Sequence, residues 1–113
     1  MTIFSKIINK EIPADIIYET DKILAFKDID PKAPVHVLII PKQEIPKVTD
    51  IHGNRDAHLL GDMFDAANKI AKDMNIAEDG FRIVINCGSN GGQAVYHLHM
   101  HLLGGRQMKW PPG

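Results

Sequence analysis

The spacing of apolar residues predicts a short helix and then two paired strands at the start of the chain. Apolar side chains recur at a helical period over residues 3–8, directly after Thr2, whose hydroxyl can cap a helix, and Pro13 ends the segment. Two strand-like runs, 16–19 and 23–26, follow with a short polar connection. Such a connection predicts that they pair as an antiparallel hairpin.

A buried strand and a long helix occupy the middle of the chain. Residues 36–40 are apolar apart from the first, His36, as expected of a strand covered on both faces, and Pro41 closes the run. Between about Arg55 and Met74, apolar side chains form one stripe of an amphipathic helix, and the charged residues lie largely off it. The stripe consists of Leu59, Leu60, Met63, Phe64, Ala67, Ile70, Ala71 and Met74.

Two further strands, separated by a glycine-rich loop, complete the pattern. Residues 81–86 and 96–103 are strand-like, and the loop at 87–93 joins them as a second hairpin. The sequence therefore predicts an α+β fold with a mostly antiparallel five-stranded sheet, one long helix and a short N-terminal helix. No repeat or linker interrupts residues 1–113, which we expect to form a single domain.

The last predicted strand carries three histidines at every second position, His97, His99 and His101. Successive side chains of a strand point to opposite faces, so these imidazoles share one face with Val95 and Leu103. The opposite face is expected to be core beneath the long helix. It carries Tyr96, Leu98, Met100 and Leu102. We therefore expect the histidine face to open onto solvent or a cleft.

Metal binding and a purely structural role are the alternatives for this row. Same-face positions on a strand lie roughly 7 Å apart, which hinders three imidazoles from closing on one ion. Zinc sites usually need three or four converging ligands, but the strand carries no carboxylate and Cys87 is the only cysteine. We therefore expect no metal. A lone histidine is most often a hydrogen-bonded structural residue, whereas three in register favour a function.

The loop at 87–93 strengthens that indication. Glycine-rich loops can turn several backbone N–H groups inward and bind an anion. This loop lacks the Gly-Lys-Ser/Thr ending of a P-loop, and most glycine clusters are only turns. Next to a row of histidines, it indicates a phosphate site.

Composition narrows the partners and the location. With 113 residues, 44% of them hydrophobic, the chain is long enough for one compact core. A net charge of −1 without a run of Lys or Arg gives no basic surface, so we expect no nucleic acid partner. Cys87 has no intramolecular disulfide partner, and Lys6 interrupts the apolar N-terminus before it reaches signal-peptide or membrane-span length. We expect a cytoplasmic protein, also nuclear if its source is eukaryotic, without a membrane partner.

Residues 91–113, GGQAVYHLHMHLLGGRQMKWPPG, closely resemble the histidine triad (HIT) superfamily, specifically its Hint branch of purine nucleoside phosphoramidases. The resemblance extends to residues 2–8 and 11–14 and from 25–29 through 34–42, so it covers nearly the whole chain. It implies a HIT-like fold, no cofactor, and a homodimer whose sheet continues across a two-fold axis.

The resemblance also implies a role for each histidine. His99 would be the nucleophile that takes the nucleotidyl group, and His101 would contact the phosphate or the leaving group. His36 and His97 would complete the polar surroundings, with the backbone of His97 orienting the ring of His99. Asp28 would hold the ribose hydroxyls.

Further substrate contacts are implied by position. The apolar wall around a purine would comprise Ile3, Phe4, Ile7, Phe26 and Ile29. The phosphate cradle would comprise Asn86, Gly92, Gln93 and Val95. Ala94 stands where Hint proteins often carry serine, so a hydroxyl contact is missing, and in the tail 104–113 Trp110 would approach the partner's site. Without the resemblance, the apolar residues are better explained as core and Asp28 as a turn residue.

The chemistry of imidazole agrees with these roles. Its ordinary pKa is about 6.5, so a neutral ring nitrogen can attack phosphorus without a separate base. Water would then release the nucleotide, and the departing amine would take a proton from a neighbouring imidazolium. We expect a hydrolase that cleaves the P–N bond of purine nucleoside 5′-phosphoramidates, adenosine derivatives first, into a nucleoside monophosphate and an amine. The alternative is a nucleotide-binding or scaffolding protein with incidental hydrolysis, and dinucleoside polyphosphate hydrolysis or nucleotidyl transfer stay open within the superfamily.

Overall fold

The computed structural model describes residues 1–113 as two α-helices, a 3₁₀ turn and five strands. In chain order these are α1 (Ile3–Ile8), β1 (Ile16–Glu19), β2 (Ile23–Lys27), β3 (Val35–Pro41), the 3₁₀ turn (Val48–Asp50), α2 (Ala57–Asp73), β4 (Phe81–Val84) and β5 (Met100–Gly104). The strands form one antiparallel sheet in the order β1-β2-β3-β5-β4. The predicted α+β fold is confirmed. Neither helix is both long and apolar enough to cross a membrane.

The N-terminal helix begins at a reciprocal cap. The backbone N–H of Ser5 donates to the Thr2 hydroxyl at 3.4 Å, and the N–H of Thr2 donates to the Ser5 hydroxyl at 3.2 Å. The Ser5 hydroxyl in turn donates to Oε1 of Glu44 at 2.7 Å, in the loop that follows β3. α1 is therefore fixed against the sheet, and its own Phe4 and Ile7 side chains are buried against the strands.

The strand register gives the sheet two differently covered faces. α2 packs on one face, where Met100 and Leu102 of β5 and Leu98 just before it are buried, as predicted. On the other face Leu38 pairs with His101, and His36 pairs with Leu103. α1 covers only part of this second face, over Leu24, Phe26, Leu38 and Ile40. The histidines of β3 and β5 therefore lie where the covered part meets an open cleft.

The apolar stripe of α2 is confirmed except at its edge. The buried residues of the helix are Met63, Ala66, Ala67, Ile70 and Ala71. Phe64, predicted to lie in the stripe, is about half exposed, because it follows Met63 by about 100° of helical rotation and so turns outward. Ala66 belongs to the core although its small side chain contributes little to the sequence pattern.

The last strand is shorter than predicted. Residues 95–99 run as bends and irregular backbone, and the strand begins only after them. The N–H of Leu98 donates to the carbonyl of Ile45 at 2.7 Å, so this segment pairs with the loop after β3 instead of extending the ladder. Tyr96, predicted to be core, is 46% exposed. The prediction of three histidines in register on one strand is therefore wrong, since only His101 lies in a strand.

Candidate active site

Strands β3 and β5 bring His36 and His101 together. Leu38 faces His101 and His36 faces Leu103, which makes the two imidazoles diagonal neighbours on one face. Nε2 of His36 lies 2.9 Å from Nδ1 of His101. The remaining ring nitrogen of His36, Nδ1, accepts the backbone N–H of Lys32 at 3.0 Å. The two rings form a hydrogen-bonded pair at the edge of the cleft.

His99 lies directly before β5, with its ring centroid 5.0 Å from that of His101. Its Nδ1 is 2.7 Å from the carbonyl oxygen of His97. Because a carbonyl only accepts, Nδ1 carries the hydrogen and Nε2 keeps the lone pair. That Nε2 has no hydrogen-bond partner in the protein and still contacts solvent, although the whole ring is only 6% exposed. His99 therefore presents one free nitrogen lone pair to an incoming molecule.

His97 supports this arrangement from behind. Its ring is buried, and Nε2 donates to the carbonyl of Pro41, the last residue of β3, at 2.7 Å. This bond fixes the backbone whose carbonyl orients His99. Of the three alternating histidines only His101 lines the open cleft. The structure thus places His97 as an anchor between β3 and the reactive ring.

Phe4 of α1 forms a wall beside the histidines. Its ring centroid is 5.1 Å from that of His99 at an interplanar angle of 87°, an edge-to-face contact. The same ring lies 6.1 Å from His97 and 5.5 Å from Phe26. The N-terminal helix therefore restricts the orientation of the His99 ring.

Burial favours the neutral form of three imidazoles in the site. Burial lowers the pKa of His99, and the hydrogen bond to the His97 carbonyl opposes this shift. It lowers the pKa of His101 to about 4, and the proximity of His99 and His36 adds to the effect. Burial also lowers the pKa of His36 against the attraction of Asp28. Near neutral pH the neutral forms of His36, His99 and His101 are therefore favoured.

An open cleft of about 370 Å³ begins at His101 and is also lined by His36, Asp28 and Asn86. Oδ2 of Asp28 is 3.5 Å from Nε2 of His36, while Oδ1 accepts the N–H of Asp30 at 2.8 Å. Asp28 thus closes a turn and also directs a carboxylate oxygen at the histidine pair. A larger cleft, of about 490 Å³ at the start of β4, contains none of the four histidines.

The glycine-rich loop and the two residues after it leave several backbone N–H groups unpaired. Gly92 has a φ of +79°, which favours glycine. The N–H groups of Gly92 and Gln93 each donate to a carbonyl within the loop at 3.0 Å. The next two N–H groups, of Ala94 and Val95, have no partner in the protein. The N–H groups of Ser89, Asn90 and Gly91 have no partner either, so unpaired donors lie both within the loop and directly after it.

The side chain of Gln93 is buried and fully hydrogen-bonded. Its Oε1 accepts the N–H of Gly88 at 2.9 Å, and its Nε2 donates to the carbonyls of Pro46 at 2.8 Å and Val95 at 3.1 Å. With its backbone N–H also used, Gln93 keeps no free donor for a phosphate. The structure places it behind the implied cradle, where it joins the glycine-rich loop to the segment after β3.

Comparison with known protein families shows which family this chain belongs to. Residues 9–108 match the family model described as the HIT domain. The chain belongs to the HIT family. It is 54% identical over 112 residues to uncharacterized HIT-like proteins of Synechococcus elongatus and Synechocystis sp., covering 99% of this chain and 96% of each relative. The resemblance to the HIT superfamily is confirmed.

Solved structures share the HIT fold. A HIT family hydrolase from Legionella pneumophila has a TM-score of 0.97 at 50% identity, with all of both chains covered. A histidine triad nucleotide-binding protein from Candida albicans has a TM-score of 0.83 at 34% identity, covering 98% of this chain and 83% of that chain. The HIT-like architecture therefore extends along the whole chain.

In this HIT domain the residues implied for the purine wall are divided. Phe4, Ile7 and Phe26 are buried together under α1. Ile3 is exposed at the start of that helix, and Ile29, next to Asp28 in sequence, is 98% exposed. The structure therefore brings three of the five into one cluster and leaves two on the surface.

The tail of the HIT domain runs beside β4. The Arg82 guanidinium donates to the carbonyl of Lys109 at 2.9 Å, and Met108 and Pro112 line the open cleft. Trp110 is 81% exposed. The tail thus borders the site of its own chain while its one tryptophan stays uncovered.

Some groups that shape the site were missed from the sequence. They are the carbonyl of Pro41, the N–H of Lys32 and the carboxylate of Glu44 that anchors α1. The first two are backbone groups, which every residue type carries alike, so no sequence signal marks them.

Proposed function

We propose that this protein is a hydrolase of the Hint branch that cleaves the P–N bond of purine nucleoside 5′-phosphoramidates, adenosine derivatives first. The observation that carries the proposal is the solvent-accessible Nε2 lone pair of His99, held by the hydrogen bond from Nδ1 to His97. The relatives support the class, since the Legionella protein is called a hydrolase and the Candida protein a nucleotide-binding protein.

Two displacements at phosphorus would complete the reaction. In the first, Nε2 of His99 bonds to phosphorus, the P–N bond breaks, and the leaving nitrogen takes up a proton and departs as an amine. The His97 carbonyl stabilises the positive charge on the ring through the Nδ1–H bond. In the second, water attacks phosphorus, loses its proton, and returns His99 with release of the nucleoside monophosphate. No step needs a metal or cofactor.

The phosphate would lie between the histidines and the loop before them. The unpartnered N–H groups of Ala94 and Val95 are suited to the equatorial oxygens, and Asn86 lines the same cleft as His101. His101 has a buried Nε2 without a protein partner, which a phosphate oxygen would satisfy. Asp28 would accept the ribose hydroxyls.

The purine would extend beyond the ribose. Ile29, exposed beside Asp28, leaves an apolar side chain free to cover a base. Ile3 is exposed on α1, whereas Phe4, Ile7 and Phe26 would contribute only their outer edges. A base contact therefore depends mainly on the two exposed isoleucines.

We propose that two copies of the chain form a homodimer through the outer edge of β4. β4 is an edge strand of four residues, so its outer N–H and C=O groups are free to pair with a second copy about a two-fold axis. The exposed Trp110 of one copy would then reach the site of the other.

A substrate panel tests the activity. We expect an adenosine 5′-phosphoramidate to be hydrolysed faster than its cytidine counterpart and than a diadenosine polyphosphate, with the same rates after chelator treatment. Tight binding of adenosine nucleotides without turnover would contradict the proposal and favour the scaffolding alternative. Faster cleavage of the polyphosphate would move the protein out of the Hint branch, and loss of activity in chelator would make the reaction metal-dependent.

A further inference from the structure

We infer that the backbone N–H of Lys32 sets the hydrogen positions on His36 and His101, so that His101 meets the substrate as a neutral donor through Nε2. Lys32 would be a positioning residue whose effect passes through its amide and not through its side chain. The inference deepens the proposed function and rests on it for its catalytic meaning, but the hydrogen positions follow from the free protein.

The first step is the tautomer of His36. The N–H of Lys32 points at Nδ1 of His36 from 3.0 Å. An amide N–H only donates, so Nδ1 must hold a lone pair, and the single hydrogen of a neutral imidazole lies on Nε2. The loop between β2 and β3 thereby selects one of the two neutral forms of His36.

The second step passes this choice to His101. Nε2 of His36 lies 2.9 Å from Nδ1 of His101, so the His36 hydrogen is donated and Nδ1 of His101 accepts it. The hydrogen of a neutral His101 must then lie on Nε2. That Nε2 is the one buried side-chain nitrogen or oxygen in residues 1–113 without a hydrogen-bond partner. Buried polar groups are normally paired, which makes this N–H a donor reserved for a bound oxygen or nitrogen.

The same two bonds oppose an imidazolium at His101. A second proton would have to enter at Nδ1, where the N–H of His36 already points, and His36 can move its hydrogen only to the nitrogen that faces Lys32. The charged and titratable groups around the pair are His99, Asp28, Asp30, Lys32, Arg82 and Arg106. Burial acts in the same direction, lowering the pKa of His101 to about 4.

The outcome is a site with two opposite tautomers side by side. His99 carries its hydrogen on Nδ1 and attacks through Nε2, whereas His101 carries its hydrogen on Nε2 and donates through it. The leaving amine would then take its proton from solvent, with His101 hydrogen-bonding the reacting group, and not from a resident imidazolium as the sequence suggested.

Nitrogen NMR of the free protein, with histidine labelled in both ring nitrogens, tests the assignment directly. Near pH 7 we expect His36 and His101 to be neutral with the hydrogen on Nε2, and His99 to be neutral with the hydrogen on Nδ1. A doubly protonated His101, or a hydrogen on its Nδ1, would overturn the inference. The measurement uses no substrate, so absence of phosphoramidase activity would defeat the proposed function and leave this result unaffected.

A matched pair of variants tests the role of the amide. Lys32→Pro removes the N–H, whereas Lys32→Ala removes only the side chain. We expect Lys32→Ala to keep the tautomers, and Lys32→Pro to mix them, raise the pKa of His101 and lower kcat at least about tenfold below that of Lys32→Ala, roughly the effect of 1.4 kcal/mol. Equal effects of the two variants, or wild-type tautomers in a folded Lys32→Pro, would overturn the inference. Should Lys32→Pro not fold, an ester in place of that amide, made by semisynthesis, provides the same comparison.

Discussion

His99 donates through Nδ1 to the carbonyl oxygen of His97, 2.7 Å away, and this bond decides which nitrogen of His99 is free to react. With the hydrogen fixed on Nδ1, the lone pair is on Nε2, which still contacts solvent. The carbonyl is itself held, because the His97 ring is anchored to Pro41 at the end of β3. The nitrogen that His99 leaves free is therefore determined by a carbonyl anchored to a strand end more than fifty positions away in sequence.

Acid should destabilise the fold through His101. Its folded pKa is lowered to about 4, whereas an unfolded histidine titrates near about 6.5. Below about pH 6.5 the unfolded chain binds a proton at this histidine, whereas the folded His101 stays neutral. The contribution of His101 to the free energy of unfolding is therefore complete above about pH 6.5 and is lost as the pH falls toward 4. Urea midpoints should therefore drop between neutral pH and about pH 5. His101→Gln should drop less over the same interval, and an equal drop would exclude His101 as the cause.

Gln93 should act as a support and not as a phosphate ligand. Gln93→Ala leaves up to three partly buried backbone groups without their partner, at a cost of about 1–3 kcal/mol in the free energy of unfolding. Because the N–H groups of Ala94 and Val95 lose their support, KM should rise as well. Gln93→Glu keeps the acceptor for the N–H of Gly88 but turns a second oxygen toward the carbonyls of Pro46 and Val95, so it should be at least as destabilising as Gln93→Ala. A large fall in kcat at unchanged stability would instead indicate direct contact with the substrate.

Ala94→Ser should change turnover. The side chain of Ala94 is exposed beside the proposed phosphate oxygens, so a serine hydroxyl there would add a hydrogen-bond donor. We expect kcat/KM to change severalfold, and to differing extents, across phosphoramidates with different amines. Identical constants for the whole series would show that position 94 does not contact the reacting groups.

Removal of the residues after Met108 should alter substrate preference more than stability. The removed segment carries the exposed Trp110, and its hydrogen bond to the sheet is the one from Arg82 to the carbonyl of Lys109. Thermal unfolding and the ratio of kcat/KM between two leaving groups would be measured on the truncated and full chains. Sedimentation of both proteins would show whether the full chain forms the proposed dimer and whether removal of the tail abolishes it. A large loss of stability with an unchanged preference would contradict a role at the partner's site.

Much of the fold was predictable because its signals are local. Residues 36–40 are apolar on both faces and form the middle strand, and the hydroxyl of Thr2 caps α1 as expected. The helical stripe located α2 to within a few residues, with Phe64 as the error. Periodicity and caps act between neighbouring residues, so one sequence contains them.

The detailed site was less predictable because distant backbone groups build it. The alternating histidines favoured a continuous strand, but bonds from Leu98 to Ile45 and from His97 to Pro41 bend the chain before β5. Those acceptors are backbone carbonyls. Every residue type has one, so the sequence does not show which carbonyls accept these bonds. The resemblance likewise implied a ligand at Gln93, whose amide the structure uses internally.

Mass spectrometry of a quenched reaction tests the central claim most directly. The wild-type protein is mixed with an adenosine 5′-phosphoramidate, stopped within one turnover, and its peptides are fragmented to locate the added nucleotidyl group. We predict the adduct on His99, and neither adduct nor turnover in a folded His99→Ala protein. An adduct on His97 or His101, or hydrolysis by His99→Ala at the wild-type rate, would contradict attack by the Nε2 of His99.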